Sequence, residues 1–117
     1  MTIYQDNGYE VLPRIQAPSL ALVDPIFVRE EEQQILSVLA HLVNRDVDFI
    51  CWTALWGGDE TFYQKFKEKT DKSCSSFWVR WKEEKHRTWG CQITVPKSRQ
   101  DLASNTIEEI REIMRWQ

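Results

Sequence analysis

Between residues 77 and 95 apolar and polar side chains alternate in two runs, FWVRW and TWGCQITV, on either side of the charged stretch KEEKHR. Side chains on a strand change face at every residue, so this pattern predicts a β-hairpin. Centring its loop on Lys85 sets Trp81 opposite Trp89, Val79 opposite Cys91 and Phe77 opposite Ile93, six apolar residues on one face. A slip of one residue would turn all of them to the other side, which is why the register can be read at all. The second face carries Trp78, Arg80 and Lys82 across from Gln92, Gly90 and Thr88. It reads as either a solvent face or a binding surface.

Elsewhere the apolar period changes. Ile35, Leu36, Leu39, Leu42 and Val43 recur at helical spacing and predict an amphipathic helix that ends near Asn44. Asp24-Pro25 offers a capped start, and a later start near Val28 is the alternative. Residues 47–56, VDFICWTALW, are apolar on both alternating sets, as in a strand covered on two sides or central in a sheet. Gly57-Gly58 stops it. The Glu, Gln and Lys content of residues 59–72 favours a short helix capped by Asp59, whereas a Gly-Gly turn into a strand with Phe62 and Phe66 inward is the competing reading. A last helix, capped by Ser104 or Asn105 or earlier by Asp101, would bury Ile107, Ile110, Ile113 and Met114 and turn Glu108, Glu109, Arg111, Glu112 and Arg115 to solvent. Residues 1–24, with Pro13, Pro18 and Asn7-Gly8, read as an irregular arm or a small hairpin, and SLALV at its end as an edge strand. The expected fold is α+β: one domain over residues 1–117, with an antiparallel sheet of three or more strands and two amphipathic helices packed on one face.

Charge changes this picture in one respect. The net charge of −3 conceals a segment, residues 64–99, that carries +6 between acidic flanks of −7 and −2. Basic groups interleaved with Trp are a footprint shared by nucleic-acid binders and by protein interfaces. Five of the six Trp residues lie between positions 52 and 89, and Trp52, Trp81 and Trp89 are expected in the core.

Candidate chemistry is sparse. Cys74, His86 and Cys91 match no paired-ligand zinc spacing, so neither metal nor cofactor is expected. His41 lies opposite the Leu39 and Leu42 stripe and accompanies no nucleophile, while Asp46, Asp48, Asp59 and Glu60 sit at the two ends of the 47–56 strand, too far apart for a carboxylate pair. Four glycines form no phosphate cradle. An odd number of cysteines, no basic leader ahead of an apolar core and no long apolar run predict a soluble cytoplasmic protein without a membrane span.

These observations predict a non-catalytic protein-interaction module, an adaptor, assembly factor, chaperone or inhibitor, that binds another protein through the hairpin face or a sheet edge. The expected contact residues are Trp78, Arg80, Lys82, Arg87, Trp56 and Trp116. Replacing Trp78 and Arg80 with Ala is expected to spare the fold and weaken binding. The alternative is a nucleic-acid binder that stacks bases on Trp and neutralises phosphates with the basic residues between 80 and 87. A small enzyme is the remote third reading, and a homodimer through the sheet edge or helix faces is compatible with the pattern.

Overall fold

A computed structural model describes residues 20–25, 28–55, 60–84 and 87–114. The chain runs β1 (Leu20–Val23), α1 (Val28–Asn44), β2 (Asp48–Leu55), α2 (Glu60–Thr70), β3 (Cys74–Glu84), β4 (Arg87–Pro96), a 3-10 turn (Lys97–Arg99) and α3 (Gln100–Met114). The strands form a single four-stranded sheet in the order β1-β2-β4-β3. The α+β class stands; three of its details do not.

The sheet is mixed. β1 runs parallel to β2, with Leu20 opposite Asp48 and Val23 opposite Cys51, whereas the β2–β4 and β3–β4 pairs are antiparallel. Parallel neighbours need a long crossover, and α1 between β1 and β2 is that crossover. Among the described residues there are also three α-helices, because residues 60–70 take the favoured helical reading. Finally, the helices divide between the two faces of the sheet. Val28, Ile35, Val38, Leu39 and Leu42 of α1 and Tyr63 and Phe66 of α2 pack with Ala21, Val23, Phe49 and Cys51. Ile107 of α3 packs instead with Val79 and Cys91, flanked by Phe77 and Ile93. By strand alternation these two sets of sheet residues point to opposite sides.

Consequently the polar face of the hairpin is not a solvent face. Gln92 and Thr94 are both wholly buried beneath α1 and α2. Burial of such groups is tolerated when they are paired, and here all but one of the side-chain groups are. Thr53 donates its hydroxyl to the Gln92 carbonyl at 3.1 Å, Ser76 and Thr94 share a hydroxyl hydrogen bond at 2.8 Å, and the Trp78 indole N–H donates to Gln92 Oε1. Gln92 Nε2 has no partner.

The hairpin keeps the expected register for Phe77 with Ile93, Val79 with Cys91 and Trp78 with Gln92. It departs beyond Arg80. A register shift leaves Trp81 as the extra residue and puts Lys82, not Trp81, opposite Trp89. Such a bulge gives one strand an unpaired residue and bends it.

Other expectations are corrected by how little α3 covers. The helix lies against β3 and β4, so on that face β2 leaves Ile50 39% and Trp52 37% exposed, and β1 leaves Leu22 73% exposed. Trp52 is therefore not a core residue. α3 begins at Gln100, ahead of Ser104 and Asn105, and of the described side chains of its predicted stripe only Ile107 is buried, with Ile113 79% exposed. Arg99 anchors the preceding turn to β2 through Nε to Asp48 Oδ1 at 3.0 Å and Nη2 to Asp48 Oδ2 at 2.7 Å. This contact holds the Asp48 carboxyl below its ordinary pKa.

α1 starts at Val28, the later of the two predicted starts, and ends in a Schellman motif: Val47 N–H donates to the Leu42 carbonyl at 2.9 Å and Asp46 N–H to the Val43 carbonyl at 3.0 Å. Asp46 takes the left-handed conformation this motif needs, at φ 56°. A side chain there is strained and glycine is not. Asp46→Gly is expected to raise stability by about 0.5–1 kcal/mol, measured by urea denaturation; an unchanged or lower midpoint would contradict the strain assignment.

Candidate functional site

Among the described strands β3 lies at the edge, and alternation turns Trp78 and Arg80 toward the α2 side of the sheet. Trp78 is half-buried against the main core, and the Arg80 guanidinium lies over its ring, 4.8 Å from the centroid. This is cation–π distance. From above, α2 contributes Gln64 and Lys67, three residues apart and so on one helical face. From the opposite side of the sheet, Arg111 of α3 reaches round the edge: its Nη2 donates to the Trp78 carbonyl, and its Nη1 donates to Glu108 Oε1 at 2.6 Å. Together Gln64, Lys67, Trp78, Arg80 and Arg111 line an open cleft of about 480 Å³.

The electrostatics of the cleft are one-sided. Among the described residues, three of the five lining side chains are cationic, and neither Lys67 nor Arg80 has an acidic partner. Arg111 Nε is buried without an acceptor. The Arg111–Trp78 contact also fixes the geometry of the edge. A strand residue directs its N–H and C=O to one side and its neighbours to the other, so Trp78, with Ser76 on the same alternation, turns backbone groups outward.

Of the residues expected at the site, Trp78 and Arg80 are brought together. Lys82 and Arg87 lie further out on the hairpin, where Lys82 pairs with Trp89 and Arg87 with Glu84; their side chains, and Trp56 and Trp116 altogether, lie outside the described residues. Sequence reasoning missed Gln64, Lys67 and Arg111, and it assigned Arg111 to solvent. The signal for Lys67 was present in the basic 64–99 segment, where Gln64 and Lys67 share a helical face.

Among the described residues the cleft is lined by cations, an amide and an indole, and by no thiol, imidazole or carboxylate. Cys51, Cys74 and Cys91 are buried elsewhere. Burial raises all three thiols, with Cys51 pushed up from 9.0 to about 12, so they stay protonated at neutral pH and are poor nucleophiles. Cys74, expected in a loop, opens β3. Among the described residues no cluster of His, Cys, Asp or Glu could hold a metal ion, and no helix is long and apolar enough to cross a membrane. What the arrangement can do is hold an anion beside the outer edge of β3. The chain matches no protein-family model, and no curated protein matches it significantly.

Proposed function

We propose that this protein is a non-catalytic interaction module that binds another protein along the outer edge of β3 and in the adjoining cleft. One observation carries the reading: an eleven-residue strand stands at the edge of the sheet, with no described strand beyond it, and its Trp78–Arg80 pair faces a cation-lined cleft. Open strand edges accept extended segments, and Trp and Arg are common anchors of interfaces. Adaptor, assembly-factor, chaperone and inhibitor roles all use such a surface. Three free buried cysteines support a reducing, cytoplasmic setting.

The cationic cleft also favours a second reading, nucleic-acid binding. Against it stands the Trp78 ring itself, which Arg80 covers and the core supports, leaving it a poor platform for stacking bases. On the face that α3 leaves open, Leu20, Leu22, Ile50 and Trp52 form an exposed apolar strip that supports a second contact, with a homodimer among its uses.

The test is capture of partners from lysate with and without nuclease, comparing the parent chain with the double variant Lys67→Ala, Arg80→Ala. Trp78 is not a clean surface probe, because its ring packs on the core and its N–H satisfies Gln92. A stoichiometric protein is expected to survive nuclease and about 300 mM salt, where weak ionic contacts are screened, and to be lost from the double variant. Material that vanishes on nuclease treatment would replace this reading with the nucleic-acid one.

A further inference from the structure

We propose that the cleft formed by Gln64, Lys67, Trp78, Arg80 and Arg111 recognises carboxylate side chains of an acidic peptide lying extended along β3. This rests on the interaction-module reading and specifies the chemistry of the partner.

Charge complementarity is the first argument. Lys67, Arg80 and Arg111 come from α2, β3 and α3, three separate elements that converge on one cleft. Like charges brought together repel, and the described acids relieve only Arg111, through Glu108. An anion in the cleft would offset that repulsion. The second argument is the placement of the guanidinium groups. Arg111 is held at the cleft wall by Glu108 and the Trp78 carbonyl, and Arg80 has no acidic partner among the described residues. A carboxylate is the acceptor best matched to guanidinium geometry.

The third argument selects a peptide. Alternation turns the backbone groups of Ser76 and Trp78 outward beside the cleft, and Arg111 holds the Trp78 carbonyl, so an extended chain can pair with β3 at Ser76 and the Trp78 N–H while its side chains on one face enter the cleft. Alternate residues of a strand share a face, about 7 Å apart. A segment with acids at every second position therefore presents a row of carboxylates to Arg80, Lys67 and Arg111. A nucleic acid would instead need an uncovered ring, and Arg80 occupies the Trp78 face.

The probe is a fluorescein-labelled peptide of about ten residues, a long-strand length, alternating glutamate with threonine, and its glutamine counterpart, titrated with the full chain and followed by anisotropy. The glutamate peptide is expected to bind about tenfold more tightly than the glutamine one, the effect of losing a charge-assisted contact. Lys67→Glu and Arg80→Glu are each expected to weaken it by a similar factor while leaving the circular-dichroism melting curve in place. Equal binding of the two peptides would overturn acid recognition while leaving the interaction module standing. Binding of neither peptide by a chain that still captures its partner after nuclease treatment would do the same. An oligothymidylate that binds more tightly and displaces the peptide would overturn both readings. Salt-sensitive self-association that excludes the peptide would assign the cleft to a second copy instead.

Discussion

Gly90→Ala is expected to lower stability by about 3 kcal/mol or more, and Tm by about 10 °C or more, from steric overlap in the hairpin. A Cβ at this position would stand 2.0 Å from the Val79 carbonyl oxygen and 3.0 Å from Arg80 Cα. Both obstacles are backbone, so no side-chain rotation relieves them. Gly90 faces Arg80, immediately before the register shift that makes Trp81 the extra residue. A glycine within a strand often marks the place where another backbone comes close, and here it lets the bulged strand lie against β4. The functional consequence follows from Arg80, whose placement over Trp78 depends on the same stretch of backbone. Thermal melting followed by circular dichroism is the check, and the variant should also lose peptide binding. Melting within a few degrees of the parent chain would mean that the hairpin shifts freely at this point and that the close approach is not a constraint.

The same bulge marks where the sequence stops being legible. Phe77, Val79, Cys91 and Ile93 could be paired correctly because alternation allows only one register with all of them on one face. Trp81 could not, because inserting a residue restores the apolar pairing of neither strand and leaves only the nearby Gly90 as a sign. Strand direction was hidden for a different reason. β1 has four residues, LALV, whose pattern is the same read either way, and only the crossover through α1 makes it parallel. Hydropathy also left the Gln92 face open between solvent and a binding surface, since what allows Gln92 to be buried is its bond from Trp78. The candidate site divides along the same line. Trp78 and Arg80 lie two apart on one strand and were legible as a pair, whereas Lys67 and Arg111 arrive from helices on opposite faces of the sheet. No spacing in the chain records that convergence.

Phe66→Ala is expected to cost about 3–5 kcal/mol, the range for removing a buried aromatic side chain, because Phe66 is wholly buried and anchors α2. Helices of fewer than ~12–15 residues are marginal in water on their own, and α2 has eleven. Its order therefore depends on what it buries. Tyr63, Phe66 and Thr70 form that buried face, with the Tyr63 hydroxyl donating to the Ala54 carbonyl of β2. Contacts from α1 add to the hold, through Arg29 over the Phe62 ring at 5.0 Å and the Lys69–Glu32 ion pair, but these are exposed or partly exposed and weak by comparison. The substitution should thus act on the cleft as well as on the core, since Gln64 and Lys67 are carried by the same two turns of helix that Phe66 pins to the sheet. Lys67→Ala, one residue away, separates the two effects: it should reduce acidic-peptide binding with little change in the urea midpoint. Phe66→Ala should reduce both. If Phe66→Ala unfolded within ~1 kcal/mol of the parent chain, less than the low end of core truncations, α2 would be held by its surface contacts, and the cleft would lack the rigid wall that selective recognition of a carboxylate requires.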